Sequence, residues 1–173
     1  MNKTRKILTN ANKEDIVAQC LIFTTNEEYE TKLCKTHHQF HAFNHKDLKG
    51  WDTKEYAIPE NYTVLKYNEL PTWIDFSAII VQNKIFQYNI AKNIRDALHI
   101  PIIAVERSKP STNPAIQQEV TFMKNCIGDI NVFTSEEHAE LWGIDHRTIV
   151  ITENNEEQFV AQWETILEQI CEE

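Results

Sequence analysis

Seven short apolar runs punctuate the chain: AQCLIFTT (18–25), QFHAF (39–43), YTVLKY (62–67), FSAIIVQ (76–82), IPIIAVE (100–106), INVFTS (130–135) and TIVIT (148–152). Several are continuous stretches rich in β-branched residues, whereas a strand wet on one face would alternate apolar with polar. Continuous runs of this length suit parallel strands covered on both faces. The segments between them have helical period, so the pattern predicts an α/β fold: a doubly wound, mainly parallel sheet with helices on both faces, linked by right-handed crossovers. In such a sheet the ligand crevice lies beyond the carboxyl ends of the strands, and function is sought there.

The helical segments carry their own boundaries. NEEYETKLCKT (26–36) reads as a first helix, and NKIFQYNIAKNIRDAL (83–98) as a longer one with Asn83 as N-cap and Phe86, Ile90, Ile94 and Ala97 as its buried stripe. Pro114 opens AIQQEVTFMKNC, while Ser135 caps EEHAELWG and Gly143 stops it. Asn155 and Gln158 form a capping box for EEQFVAQWETILEQIC, whose apolar face is Phe159, Val160, Trp163, Ile166, Leu167 and Ile170. A chain of 173 residues, 42% of them hydrophobic, can bury a core without metal or disulfide support. The expected organisation is one domain over 1–173, with an N-terminal arm (1–15) and a C-terminal amphipathic helix (153–173).

Composition excludes several function classes. A net charge of −9 repels phosphate backbones, so no nucleic-acid partner is expected. No apolar stretch of signal-peptide length follows the basic first residues and none could span a bilayer, which predicts a cytoplasmic protein without a membrane span. Cys20, Cys34, Cys126 and Cys171 form no C-x-x-C pair and read as reduced core thiols. With glycine only at positions 50, 128 and 143, neither of the two common glycine-rich phosphate loops can be present, and no cofactor is expected. A G-x-S-x-G nucleophile elbow is also absent.

His37, His38, His41 and His45 fall within nine residues. On a strand, His37, His41 and His45 would share one face and His38 the other, but successive same-face residues are roughly 7 Å apart at ~3.3 Å per residue. That spacing does not close on one ion, no nearby cysteine or carboxylate completes a zinc-like pattern, and no metal site is expected. Three strand-end segments, TTNEEYE (24–30), VQNKIFQYN (81–89) and VERSKPS (105–111), place polar residues where the crevice belongs. The binding candidates are Asn26, Glu27, Gln82, Asn83, Lys84, Gln87, Glu106 and Arg107, which together suit a carbohydrate or another small polar ligand. The plainer alternative is that Asn26, Asn83 and Ser108 only cap helices and turns.

The order IFTTNEEYETKLCKTHHQFHAFNHKDLKGWD, IPENYTVL, DFSAIIVQNKIFQYNIAKNI, IPIIAVERSKP and GDINVFTSEEHAELWGI resembles the N-terminal half of a family-4-like bacterial glycosyltransferase of GT-B architecture, over roughly residues 18–152. The most telling pieces are the D-x-x-V-F-x-S-E segment before a helix and the Q-N-K-x-x-Q-Y stretch. The resemblance implies a Rossmann-like domain that presents a glycan or sugar acceptor, with the nucleotide-sugar bound by a second domain or a separate donor-binding subunit. The final helix is similar to the one that, in such enzymes, crosses back onto the N-terminal domain. A Glu-x7-Glu spacing at Glu156 and Glu164 is expected by chance in so acidic a helix and is given no catalytic role.

Two positions depart from that family. Thr25-Asn26-Glu27 stands where a Thr-His-Glu-type segment is expected, and Glu106-Arg107 where Glu-His is usual. Each departure removes an imidazole, and Arg107 can bind an anion but cannot serve as a base. The sequence therefore predicts binding without independent sugar transfer, the histidines bordering an acceptor cleft. A protein-interaction module without enzymatic activity is the alternative, and a flavodoxin-like small-molecule enzyme is disfavoured by the missing phosphate loop.

Overall fold

The structure, a computed structural model, describes residues 16–82 and 85–172. Seven strands form one sheet: β1 (Gln19–Ile22), β2 (Gln39–Asn44), β3 (Tyr62–Tyr67), β4 (Ala78–Val81), β5 (Ile102–Glu106), β6 (Ile130–Phe133) and β7 (Thr148–Val150). Their spatial order is β3-β2-β1-β4-β5-β6-β7, and every neighbouring pair is parallel. This is the doubly wound Rossmann-like order extended by one strand. Each apolar run singled out in the sequence contains one strand, or lies within one that runs a residue longer.

Among the described residues five α-helices cover the sheet: α1 (Glu27–Leu33), α2 (Phe86–Leu98), α3 (Gln117–Lys124), α4 (Glu136–Trp142) and α5 (Glu156–Glu172). Strand alternation divides the core. Cys20 and Ile22 of β1 face a layer built with Tyr29 and Leu33 of α1 and Phe159, Trp163, Ile166 and Leu167 of α5. Leu21 and Phe23 face the opposite layer, with Ala91 and Ile94 of α2. Near β6, Phe133 packs with Val120 of α3 and Trp142 of α4.

The helix ends obey their local chemistry. Ser135 accepts from the His138 N–H, and Gly143 stops α4 at φ +62°, the left-handed conformation that costs glycine least. Asn155 Oδ1 accepts from the Gln158 N–H at 3.0 Å, capping α5. Pro114 opens a short 3-10 turn (Pro114–Ile116) rather than α3 itself.

Two expectations need correction. The buried line of α2 is Gln87, Ala91 and Ile94, while Phe86 and Ala97 are exposed. The helix is turned because Gln87 is drawn inward: its Oε1 accepts from the Gln82 N–H at 2.9 Å and its Nε2 donates to Thr25 Oγ1 at 2.6 Å. Of the four thiols only Cys20 and Cys126 are buried; Cys34 is intermediate and Cys171 is exposed near the end of α5. The expected cap Asn83 and the arm 1–15 lie outside the described residues. No described helix is long and apolar enough to cross a membrane.

Candidate binding site at the sheet switch point

β1 pairs with β2 on one side and β4 on the other, and chain direction around the sheet reverses there. The segment leaving β1 turns into α1 at Asn26, whose side chain accepts from the Tyr29 N–H at 2.8 Å. One turn into α1, Glu30 is fully buried beneath this corner. Its Oε1 accepts from the backbone N–H groups of Thr25 (2.7 Å) and Asn26 (3.0 Å) and from Gln82 Nε2 (2.9 Å). Its Oε2 accepts from the Tyr62 hydroxyl at 2.8 Å, which in turn lies 2.8 Å from Thr24 Oγ1. Four donors stabilise the carboxylate, but burial outweighs them and raises its pKa above the ordinary 4.5.

Of the residues predicted as a site, the structure brings Asn26, Gln82 and Gln87 together around Glu30. Glu27 turns away, bonding Lys49 Nζ and, at 3.2 Å, the Asp52 N–H in the loop after β2. Beyond β5, Glu106 accepts from both the backbone N–H and the hydroxyl of Ser108. Arg107 forks onto Glu153 at 2.8 and 3.0 Å, with its guanidinium carbon 4.7 Å from the centre of the Tyr29 ring. Asn83 and Lys84 lie outside the described residues.

The candidates thus form no single open constellation: Asn26, Gln82 and Gln87 share one network, while Glu27, Glu106 and Arg107 each bond to other partners. Glu30 has its oxygens engaged, and the Arg107 fork that could hold a phosphate is taken by a carboxylate. Cys34 is no nucleophile either, since burial first, then the Glu30 charge, pushes its thiol up to about 12. Glu30, Tyr62 and Thr24 are the important residues that sequence reasoning passed over. A signal existed for Glu30 alone, as the fourth residue after an Asn cap, where it can reach back to the freed N–H groups.

Next to this corner, the α2 side of the sheet carries an open groove of about 360 Å³ lined by Phe43, His45, Asn68, Leu70, Ile90 and Asn93. Its rings are ordered. His45 lies nearly parallel to Phe43 (6.5 Å, 11°) and to Tyr67 (6.1 Å, 11°), with Phe86 at 6.4 Å. A larger groove of about 600 Å³, lined partly by Ser77, Pro101 and Asp129, lies at the amino ends of β4 to β6 and mixes both charge signs, with Arg95 on Asp96 at 3.0 Å.

The histidines separate across the sheet. His41 and His45 face the α2 side, His41 Nε2 lying 2.7 Å from Gln19 Oε1 with its ring edge-on to Phe76. His37 precedes β2, escapes the strand alternation and joins His38 against Glu164 of α5. Burial lowers the His38 pKa to about 4 and keeps its ring neutral. Comparison with known proteins gives no match: no family model, no characterised protein and no solved structure is significantly similar to this chain.

Proposed function

We propose that this chain is the acceptor-binding half of a GT-B-type glycosyltransferase, holding a sugar in the groove beside β2 and β3 and relying on a further domain or a separate subunit for the nucleotide-sugar. The observation that carries this reading is the pairing of aromatic faces with amides: Phe43 and His45 beside Asn68 and Asn93. A pyranose has apolar C–H faces that shed water against a ring, and hydroxyls that need both donors and acceptors, which an amide supplies together. A volume of about 360 Å³ is near the lower bound of ligand pockets and suits one or two sugar rings. The strand order and the resemblance of the segments from 18 to 152 add support. The engaged state of Glu30 and Arg107 argues that transfer needs donor contacts from elsewhere.

The test is an NMR titration of the labelled chain with methyl glucoside, methyl galactoside, methyl mannoside and N-acetylglucosamine. Shifts at Asn68 and Asn93 are expected with at least one sugar, and His45→Ala should weaken binding about three- to tenfold. An unresponsive groove across the panel would end the acceptor reading. Turnover of labelled nucleotide-sugars by the chain alone would end the need for a donor subunit.

A second reading, a protein-interaction module, draws on β3. This edge strand exposes Val64 and Tyr67, and Trp73 beyond it is 76% exposed. An unpaired strand edge is a template for a partner strand. Val64→Lys separates the two readings, since it should abolish partner binding and leave sugar binding intact.

A further inference from the structure

The fold brings a carboxylate of α5 against two histidines that are neighbours in sequence but lie far from it along the chain. His37 and His38 stand just before β2, and Glu164 reaches them from α5, 127 residues along from His37. One donor atom from each lies within 4.8 Å of the other two. His37 Nδ1 is 2.6 Å from Glu164 Oε2, and His38 Nε2 is 2.9 Å from the same oxygen. The strand spacing of His37, His41 and His45 offered no such site, because the carboxylate arrives through tertiary packing.

We propose that His37, His38 and Glu164 form a binding site for a borderline divalent cation of the Zn2+ and Co2+ class, which fastens α5 to the start of β2. Four observations support this. His38 is fully buried, and its Nε2 and Glu164 Oε2 face each other at 2.9 Å without the geometry of a hydrogen bond. A buried carboxylate oxygen left in this state is what a cation would satisfy, and His38 Nε2 joins as a ligand once its proton moves to Nδ1. His37 Nε2 lies 2.9 Å from the Ile16 carbonyl, to which it can donate while Nδ1 keeps its lone pair for the cluster, the outer arrangement typical of ligating histidines. Glu164 Oε1 is held by the His37 backbone N–H at 2.8 Å, which leaves Oε2 to face the rings.

Two imidazoles and one carboxylate favour Zn2+ or Co2+ over Mg2+ or Ca2+, which prefer oxygen. With bonds of ~2.0–2.2 Å, tetrahedral neighbours are about 3.3 Å apart, so the present contacts need to open by less than an ångström. The fourth position falls to water. Binding carries one cost. The Ala18 N–H now donates to His38 Nδ1 at 3.0 Å, and a metal on Nε2 moves the ring proton to Nδ1, where it would face that N–H as a second donor, so the ring or the backbone at Ala18 has to shift and the metal–ligand bonds have to outweigh the loss.

The test uses the full chain stripped with a chelator. Titration with Co2+ should produce the intense d–d absorption of a four- or five-coordinate site, and Zn2+ should displace it. The melting temperature should rise with the logarithm of Zn2+ concentration. His37→Ala and Glu164→Gln, both altering partly exposed side chains, should fold without metal and lose more than the 10- to 100-fold in affinity that removal of an outer-shell partner costs. Nitrogen NMR of the unaltered chain needs no variant and should show His37 Nδ1 and His38 Nε2 moving to metal-bound shifts. Absence of a Co2+ spectrum, binding unchanged in both variants, or a proton bridging His37 and Glu164 that persists in excess Zn2+ would each overturn the proposal.

Discussion

Glu30 is a carboxylate the fold keeps from water. Its four donors come from three segments, the β1–α1 turn, the end of β4 and the start of β3, so it ties the switch-point corner together. Glu30→Gln should be tolerated. The amide oxygen can keep the Thr25, Asn26 and Gln82 donors, while its NH2 donates to Tyr62 and the tyrosine hydroxyl turns towards Thr24 Oγ1. Glu30→Ala orphans several buried donors and should cost at least about 3 kcal/mol in urea unfolding. The pH dependence has a definite sign. A carboxyl whose folded pKa is raised holds its proton more firmly when folded, so its stabilising contribution is full below the ordinary 4.5 and is lost as pH rises through the folded value. Acidification from neutrality should therefore raise the stability of the unaltered chain relative to Glu30→Gln, with the difference levelling off below 4.5. A difference that shrinks on acidification would contradict the assignment.

At the scale of elements, the connection from α3 into β6 depends on a close backbone approach. A Cβ on Gly128 would stand 2.7 Å from the Ile130 carbonyl oxygen and 2.8 Å from both the Ala104 nitrogen and the Ile102 carbonyl oxygen. None of these can swing aside as a side chain could. Gly128→Ala should destabilise by about 1–3 kcal/mol, the usual cost of overpacking, read from the urea midpoint. Gly50→Ala is the control, because nothing lies within 4 Å of its Cβ, and it should leave the midpoint nearly unchanged. The identical chemical change then separates close approach from glycine's general effect on the unfolded chain.

For the whole molecule, α5 decides whether one layer of the core exists. Phe159, Trp163, Ile166 and Leu167 share one buried layer with Tyr29 and Leu33 of α1 and with residues of β1, β2, β3, β4, β5 and β6, and Tyr29 meets Phe159 edge-on at 5.3 Å. A chain ending at residue 152 would leave that face of the sheet wet. It should keep far-UV ellipticity, lose near-UV signal and bind a hydrophobic dye, the signature of lost side-chain packing. A cooperative thermal transition in the truncated chain would show that α5 is an appendage.

The sequence by itself determined the class of fold, because continuous apolar runs such as IIAVE and AIIV suit a parallel sheet covered on both sides, and the helix starts at Ser135 and Asn155 and the stop at Gly143 are local chemistry. It also brought Asn26, Gln82 and Gln87 under suspicion, since strand ends can be located from the runs themselves. The inward turn of Gln87, the engagement of Arg107 by Glu153, the burial of Glu30 beneath Tyr62 and the meeting of His37 and His38 with Glu164 were decided only by tertiary structure. Periodicity reports which face of an element is apolar, whereas each of these contacts is made by a polar side chain whose partner is set by how distant elements cross.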